Sequence, residues 1–213
     1  MDNSVGRLFC ISSRQYDIVI GTLFGDGRLE SRSELCNARL RIHHGAKQKS
    51  LVFWKYNELK DIVSTGPRKI TSWTKDRKKY VSWYFHTRTL EELGFLHKLF
   101  YIENKKILPK NPERLFSRLM LSVWYMDDGC KDNDNIILNT QNFDYTEQLK
   151  LRSVFQNLYQ MKSSIVKDRD KFRLRFDRNS SKKFLSIVEG EIISSMRYKT
   201  FPVTTDPKGE AFC

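Results

Sequence analysis

Val19-Ile-Gly-Thr-Leu-Phe-Gly-Asp-Gly27 is an apolar run with two glycines four residues apart that ends in an acidic residue and a glycine. The run predicts a buried helix over about residues 15–25, ended by Gly27. Gly21 and Gly25 fall on one face of such a helix, because residues four apart are neighbours there. Small residues at this spacing let another backbone approach closely, so we expect a second helix packed against this one.

A second stretch of the same design lies half a chain later. Leu121-Ser-Val-Trp-Tyr-Met-Asp-Asp-Gly129 has the same length, the same apolar body and the same Asp-Gly end, and Asp26 and Asp128 are 102 residues apart in a chain of 213. An Asp-Gly helix end is common in globular proteins, so either stretch alone is weak evidence. The pair together indicates an internal duplication.

Each helix places one carboxylate at its C-terminal end, where the helix macrodipole is negative and disfavours it. Two such helices packed side by side bring Asp26 and Asp128 together, and like charges repel unless a cation lies between them. Carboxylates and helix-end carbonyls are oxygen ligands of the kind that Mg²⁺ prefers. The two runs therefore predict a divalent metal site where the helices end.

Composition indicates a folded protein with a polyanionic partner. The chain is 39% hydrophobic, 13% aromatic and 30% charged, unlike a disordered chain. Lys and Arg number 38 against 25 Asp and Glu, a formal charge of +13, which favours nucleic acid as the partner. Since no run approaches the 18 or more apolar residues of a membrane span and the N-terminus does not read as a signal peptide, we expect no membrane partner. The predicted location is intracellular, either an organelle (mitochondrion or chloroplast) or a prokaryotic cytoplasm.

Cysteines and histidines give no metal-binding pattern. Cys10, Cys36, Cys130 and Cys213 show no CxxC spacing, so neither a zinc site nor a disulfide framework is indicated. The histidines are the four residues His43, His44, His86 and His97, and none has a ligand-spaced partner. We expect all four histidines to be polar surface or DNA-facing residues.

The first half of the chain predicts strands with a basic outer face. In residues 37–44, Ala38, Leu40 and Ile42 have one parity and Arg39, Arg41 and His43 the other, as in a half-buried strand. A second strand is predicted over 79–88, a helix over 49–64 on the back of the sheet, and a further helix over 90–101. Strands that do not bind DNA also carry basic residues on their outer face, but a sheet with a basic outer face is what DNA binding needs.

The second half repeats this order after a segment at 104–112 that is rich in Pro, Asn and Lys. We place the boundary there, giving halves 1–110 and 111–213. The predicted elements are helix 112–127, a turn at 132–135, strand 136–140, helix 146–161, a hairpin within 163–177 and helix 180–194. In that hairpin Arg173 and Arg175 alternate with apolar residues and should face outward.

Two lysines hold matching places in the halves. Lys106-Ile-Leu-Pro109 and Lys199-Thr-Phe-Pro202 both read Lys-x-apolar-Pro, 80 residues after Asp26 and 71 after Asp128. The match suggests one lysine per site, beside a metal-bound water or the charge of a phosphorane. A solvated lysine on a linker is the alternative that the sequence leaves open.

With these residues in view, the sequence resembles the LAGLIDADG homing endonucleases in their single-chain, two-motif form, and within them the mitochondrial omega-intron type. The likeness extends over about residues 15–202 and includes Trp124-Tyr-Met-Asp-Asp-Gly129, Leu138-Asn-Thr-Gln141, Asn104-Lys-Lys106 and Tyr198-Lys199. It implies an α+β fold of two αββαββα halves related by a pseudo-twofold axis, with the motif helices at their interface and two antiparallel sheets forming a saddle over DNA. Ser122 and Val123 stand where small residues are usual, so a looser helix crossing is expected.

The resemblance also implies the site residues. Asp26 and Asp128 are expected to bind the catalytic Mg²⁺ with help from the carbonyls of Gly25 and Asp127, and Lys106 and Lys199 match lysines near the metal sites. We expect two or more Mg²⁺ per monomer, with Mn²⁺ able to substitute and Ca²⁺ binding without supporting cleavage. The expected DNA-binding residues are Arg39, Arg41, His43, Arg173, Arg175 and Gln141.

The predicted function is a monomeric, Mg²⁺-dependent, site-specific DNA endonuclease that breaks both strands of a long target. An eight-residue strand spans roughly 27 Å, or about eight base pairs at 3.4 Å per step. Because the halves differ in their outward residues, the target should be asymmetric. Two alternatives remain: an RNA-binding maturase acting on its host intron RNA, and a catalytically silent DNA-binding protein.

Overall fold

Residues 11–31, 37–73 and 77–200 are described by a computed structural model, and they form six α-helices and ten β-strands. The first half contains α1 (Ser13–Phe24), β1 (Arg28–Ser31), β2 (Ala38–Gly45), α2 (Lys49–Leu59), β3 (Arg68–Trp73), β4 (Lys79–His86) and α3 (Glu91–Phe100). A short pair, β5 (Tyr101–Ile102) and β6 (Lys105–Lys106), follows. The second half contains α4 (Arg118–Asp128), β7 (Gly129–Asp132), β8 (Asn135–Leu138), α5 (Tyr145–Tyr159), β9 (Ser163–Asp168), β10 (Lys171–Phe176) and α6 (Arg178–Val188).

The two halves have the same topology. Their sheets are antiparallel, with strand orders β1-β2-β4-β3 and β7-β8-β10-β9. Helices α2 and α3 pack on the first sheet, and α5 and α6 pack on the second. The predicted α+β fold of two αββαββα halves is therefore confirmed.

Helices α1 and α4, which we call the motif helices, cross at the centre of the molecule. A Cβ added to Gly21 would lie 2.5 Å from the carbonyl oxygen of Met120 and 2.7 Å from the Cβ of Val123. A Cβ added to Gly25 would lie 2.5 Å from the Cβ of Asp127. The close approach predicted from the glycines is confirmed. The looser crossing expected from the second motif was wrong, because the glycines of α1 receive the larger residues of α4.

An aromatic core and one polar contact hold the motif helices in place. Phe24 lies against Trp124 with ring centroids 4.9 Å apart and against Phe100 at 5.5 Å. At the other end of the crossing, Ser117 donates from its hydroxyl to Asp17 at 2.7 Å. The Ser117 hydroxyl also accepts from the backbone N–H of Met120. The same side chain therefore caps the N-terminus of α4 and links α4 to α1.

Several predicted boundaries differ from the observed ones. Helix α1 ends at Phe24, and its cap is Gly25, which lies two residues before the predicted stop at Gly27. Helix α4 begins at Arg118 instead of 112, because Pro112–Leu115 forms a 3-10 turn and Ser117 caps the helix. Short 3-10 segments, Lys60–Ile62, Glu189–Glu191 and Ser194–Lys199, replace the predicted C-terminal ends of the second and last helices.

Some sequence-based predictions fall outside the described residues, namely those on Cys10, Cys36, Cys213 and Pro202. Cys130 is buried. The predicted turn at 132–135 is confirmed, with Asn133 in the left-handed region at φ 53°. None of the helices in the described residues is long and apolar enough to cross a membrane.

Candidate active site at the ends of the motif helices

The two motif aspartates meet where α1 and α4 end. Asp26 follows the cap of α1 with 46% of its side chain exposed, and Asp128 is the last residue of α4. Burial and the nearby charges of Asp26 and Asp127 raise the pKa of Asp128 well above its ordinary value. The structure therefore brings together the two carboxylates predicted from the duplicated motif, and the ionised form of Asp128 is disfavoured there.

Lys106 lies at the end of α1. Its Nζ donates to the carbonyl oxygens of Leu23 at 2.9 Å, Gly25 at 3.0 Å and Gly27 at 2.7 Å. Burial lowers the pKa of this lysine to about 8, although the charge of Asp128 opposes the shift. The ammonium group thus compensates the negative end of the helix, beside the turn in which the N–H groups of Gly25 and Gly27 donate to the carbonyls of Gly21 and Thr22.

Lys199 makes the corresponding contact at the end of α4. Its Nζ donates to the carbonyls of Tyr125 at 3.4 Å, Met126 at 2.7 Å and Asp127 at 3.2 Å. The Tyr125 hydroxyl donates to the Lys199 carbonyl at 2.8 Å, which fixes the segment that carries the lysine. Burial lowers the pKa of Lys199, and the charges of Asp127 and Asp128 act against this.

His44 lies between two carboxylates at the same interface. Its Nδ1 is 3.4 Å from Asp26 Oδ2, and its Nε2 is 3.6 Å from Asp127 Oδ1. The expectation that all four histidines are surface or DNA-facing was wrong for His44, whose side chain is 2% exposed. It was also wrong for His97, which is buried and stacks on Tyr101 with centroids 4.7 Å apart.

The strand alternation carried a signal for His44 that sequence reasoning did not use. Alternate residues of β2 are buried, and His44 has the parity of Leu40 and Ile42. In the folded protein, burial alone would raise the pKa of Asp26. The hydrogen bond and charge of His44, with the charge of Lys55, outweigh that effect and hold the pKa of Asp26 below its ordinary value.

Lys55 of α2 is a second site residue that sequence reasoning missed. Its Nζ donates to both carboxylate oxygens of Asp127, at 2.6 and 2.7 Å, and both side chains are fully buried. The contact joins the first half to the second. The Asp127 carboxylate is therefore engaged by Lys55, and the atom predicted to reach a metal, its carbonyl oxygen, accepts from Lys199.

The donor set fits a hard divalent cation better than any other metal. Among the described residues no cluster of three or more His, Cys, Asp or Glu side chains is arranged to hold a metal ion. What the helix ends offer instead is oxygen: the carboxylates of Asp26 and Asp128 and the carbonyls of Gly25 and Asp127. Burial and the charges of Asp26 and Asp127 raise the pKa of Asp128, and a cation bound beside it would favour its ionised form.

Two cavities open at the ends of the motif helices. One, of about 410 Å³, is lined by Asp26, Arg28, Arg41, His43, His44, Gly45, Gln48 and Tyr80. The other, of about 670 Å³, is lined on the α4 side by Asp127, Gly129 and Lys199 and shares Gly45, Gln48 and Tyr80 with the first. Each motif helix therefore ends at its own cavity, and the two cavities are adjacent.

The outer face of the first sheet carries the predicted basic residues. Arg39, Arg41 and His43 lie on one face of β2, opposite the buried Leu40 and Ile42. Arg39 pairs with Glu30 of β1 at 2.8 Å, and Arg41 lies 3.8 Å from the same carboxylate. His43 Nε2 lies 2.8 Å from the Ser82 hydroxyl of β4. Burial and the charge of Arg41 lower the pKa of His43.

The second sheet presents its own pairs. Arg173 donates to Asn139 at 3.5 Å, and Arg175 lies 3.2 Å from Asp132. Gln141 donates to Asp168 at 2.8 Å. The buried Nε–H groups of Arg41 and Arg173 have no acceptor among the described residues.

A duplicated αββαββα fold, with one aspartate at the end of each interface helix, is the architecture of a single-chain nuclease that carries one carboxylate in each half. Residues 16–184 match the model of the LAGLIDADG DNA endonuclease family, and the chain belongs to that family.

Three relatives illustrate the similarity. The DNA endonuclease I-ChuI of Chlamydomonas applanata is 24% identical over 89% of this chain and 95% of its own length. The cytochrome b mRNA maturase bI2 of Debaryomyces hansenii is 25% identical over 89% of this chain and 74% of its own length. The homing endonuclease I-WcaI, solved bound to its DNA recognition sequence, is 21% identical with a TM-score of 0.84, covering 90% of this chain and 87% of that one.

Proposed function

We propose that the protein is a monomeric, divalent-metal-dependent, site-specific DNA endonuclease that cuts both strands of its target, one strand at the end of each motif helix. The observation that carries this proposal is the meeting of Asp26 and Asp128 at one interface, with a half-buried or buried lysine in contact with the end of each motif helix. A purely structural pair of carboxylates would have little reason to be held together in this way.

Asp26 and Asp128 act as the metal ligands in this proposal, with Gly25 and Asp127 contributing carbonyl oxygens. A bound divalent ion, Mg²⁺ first and Mn²⁺ as a substitute, supplies Lewis-acid activation of water and of the leaving oxygen, whereas Ca²⁺ binds without supporting cleavage. Two or more ions per monomer suit two carboxylates from two helices. Helix ends fix both carboxylates, so the ligands need little reorganisation when the target binds.

Lys106 and Lys199 place a positive charge next to each carboxylate. Each ammonium group is anchored by three carbonyls, so it stays in place while the target binds. Preorganised positive charge of this kind stabilises the extra negative charge that a phosphodiester develops during hydrolysis. The lysines therefore act as fixed electrostatic groups in the proposed reaction.

The two sheets bind the target on either side of the cut. Arg39, Arg41 and His43 contact one part of the DNA, and Arg173, Arg175 and Gln141 contact the other. Arginine reads guanine with two hydrogen bonds in the major groove, and an antiparallel sheet fits that groove. Because the outward residues of the two sheets differ, the target is asymmetric. The proposed boundary between halves 1–110 and 111–213 lies between β6 and the 3-10 turn Pro112–Leu115.

The direct test is selection of cleaved sites from a randomised DNA library in the presence of Mg²⁺. We expect recovery of one long asymmetric sequence, cut on both strands, and no cleavage with EDTA. The Asp26→Asn/Asp128→Asn double variant is the matched control, because it keeps the shape of both side chains. Cleavage at equal rates by wild type and control would overturn the proposal.

An RNA maturase is the second candidate, favoured by the similarity to the cytochrome b mRNA maturase bI2. The same basic surface would then bind the host intron RNA. Splicing of that intron with added protein separates the two functions, since the Asp26→Asn/Asp128→Asn variant should support splicing as well as wild type if only RNA binding is needed. A protein that binds DNA but neither cuts it nor assists splicing would be a silent member of the fold.

A further inference from the structure

A chain of polar contacts crosses the interface between the halves at the first site. Lys55 Nζ holds both oxygens of Asp127, Asp127 lies 3.6 Å from His44 Nε2, and the opposite nitrogen of that ring lies 3.4 Å from Asp26. We propose that Lys55 and Asp127 are positioning residues that hold the His44 imidazole against Asp26, so that the two cleavage sites differ chemically. This inference rests on the proposed endonuclease function.

Stability alone gives no reason for the buried pair. Lys55 and Asp127 are fully buried, and removing two charges from water is costly even when they attract each other. Apolar residues of similar volume often serve as well or better at such positions. The position that matches Asp127 in α1 is Gly25, which has no side chain and packs directly on Asp127. The Lys55–Asp127 ion pair therefore departs from the symmetry of the two motifs, because only the second motif has a carboxylate at this position.

His44 needs this support because of where it lies. It is the last but one residue of β2 and turns inward from the sheet, under the cavity that Asp26 lines. An imidazole can rotate about its two side-chain bonds, and a contact on one ring nitrogen fixes the direction of the other. The Asp127 carboxylate lies 3.6 Å from Nε2 on one side of the ring, and Asp26 lies 3.4 Å from Nδ1 on the other. Without Asp127 the ring has no such constraint from α4.

The second site is built without an imidazole of its own. All four histidines fall at positions 43–97, in the first half of the sequence. In strand register, Arg41 opposite Arg28 corresponds to Ile137 opposite Cys130, so His44 corresponds to Thr140. The Thr140 hydroxyl donates to Gln148 of α5 at 2.9 Å, away from the motif helices. The two aspartates therefore work beside different neighbours.

The first measurement follows the ring directly. Protein labelled with ¹⁵N-histidine gives signals from four imidazoles, and His44→Gln identifies the signal of His44. In wild type we expect a His44 ring N–H that exchanges slowly with water. In Lys55→Met/Asp127→Ala, which removes both buried charges together, that signal should broaden or disappear, while His97 serves as the internal reference. An unchanged His44 signal would overturn the inference, whether or not the protein cleaves DNA.

The second measurement resolves cleavage of the two strands under single-turnover conditions. His44→Gln and Lys55→Met/Asp127→Ala should slow the same strand about tenfold or more relative to the other strand. The triple variant should be no slower than His44→Gln, because the pair acts through the ring. Additive losses, or equal slowing of both strands, would show that the pair does not act through His44.

Two controls keep the outcomes distinct. Should the double variant fail to give a cooperative thermal transition, Asp127→Asn takes its place, since it preserves shape, and it must slow the same strand as His44→Gln. Wild-type protein is measured alongside on the selected target. If wild type itself does not cut, the endonuclease proposal fails, and the imidazole signal still decides whether Lys55 and Asp127 position His44.

Discussion

Lys106 and Lys199 make the same contact in opposite halves: the Nζ of each donates to three backbone carbonyls at the end of a motif helix. They reach it from different local structures, since Lys106 lies in strand β6 and Lys199 ends a 3-10 helix. Because a strand and a 3-10 helix place the ammonium group at the same point, the position of that group matters more than the backbone conformation of the segment that carries it.

The lysines should each serve one strand. Lys106→Met and Lys199→Met are expected to slow one strand each, so that nicked DNA accumulates, while affinity measured in Ca²⁺ falls only as expected for one lost charge. Lys105→Met is the matched control, because Lys105 is the exposed neighbour of Lys106. Strand-resolved single-turnover cleavage makes the comparison. Equal slowing of both strands with proportionately weaker binding and a salt slope reduced by about one would make these lysines phosphate contacts instead.

Asp26→Asn and Asp128→Asn should each abolish double-strand cleavage and leave specific DNA binding largely intact. Each change removes the charge that a metal requires and keeps the shape of the side chain. Binding is expected to stay level or tighten, because a negative charge next to the DNA is lost. Cleavage with Mg²⁺ and affinity in Ca²⁺ are measured on the same target. Either variant cutting both strands at the wild-type rate would refute the metal assignment.

The same two variants should change stability in opposite directions when the metal is chelated. Asp128 has a raised pKa, so its folded form binds a proton more tightly than the unfolded chain does, and it costs stability as pH rises above about 4. Asp26 has a lowered pKa, so it adds stability above that pH and loses it as pH falls. At pH 8, Asp128→Asn should therefore raise Tm and Asp26→Asn should lower it.

The test is thermal unfolding in EDTA at pH 8 and again at pH 4. Both differences from wild type should shrink at the lower pH, where the unfolded chain protonates both carboxylates in part. Shifts of the same sign for the two variants at pH 8 would contradict the pKa directions.

Each of the four arginines on the outer faces of the sheets should contribute separately to DNA binding. Replacing Arg39, Arg41, Arg173 or Arg175 with Ala should cost about 1–3 kcal/mol in binding if the residue reads a base, with relaxed preference at one target position. Arg14→Ala is the control, because Arg14 pairs with Glu58 at the far end of α1, about 18 Å from Asp26. A uniform loss across all sequences identifies a phosphate contact. No effect from any of the four would refute the proposed binding face.

The helix crossing should tolerate no added methyl group at Gly21. A Cβ there meets the Met120 carbonyl oxygen at 2.5 Å, so Gly21→Ala should lower the free energy of unfolding by about 1–3 kcal/mol through overpacking. Gly190→Ala is the matched control, since its Cβ would have nothing within 4 Å. Urea denaturation measures both. Equal stability of the two variants would mean that α4 moves aside at no cost.

Local patterns predicted much of this structure. Alternation placed Arg39 and Arg41 outside, and two glycines four apart marked the crossing face of α1, whereas the strands β1 (Arg28–Ser31), β3 (Arg68–Trp73) and β7 (Gly129–Asp132) were not predicted individually. These features depend on residues close in sequence. The start of α4 was misplaced because a 3-10 turn at Pro112 resembles the first turn of a helix.

The contacts around His44 could not be predicted in the same way. Alternation in β2 indicates that His44 points inward, but nothing nearby indicates its partners. Lys55 resembles an ordinary surface lysine on a helix, and it becomes buried only because α2 meets Asp127, 72 residues away. Interactions of this kind depend on how the halves dock, and a single sequence carries no local record of it.

The pairing of Gly25 with Asp127 makes the two halves unequal partners. Two copies of the first half would oppose glycine to glycine and leave Lys55 without its counter-ion, and two copies of the second half would force two aspartates into the same space. The Gly25–Asp127 contact and the Lys55–Asp127 ion pair therefore favour the pairing of unlike halves over a homodimer of either one. Anyone exchanging halves between relatives to build a chimera with a new target must transfer Lys55 and Asp127 as a matched set or remove both.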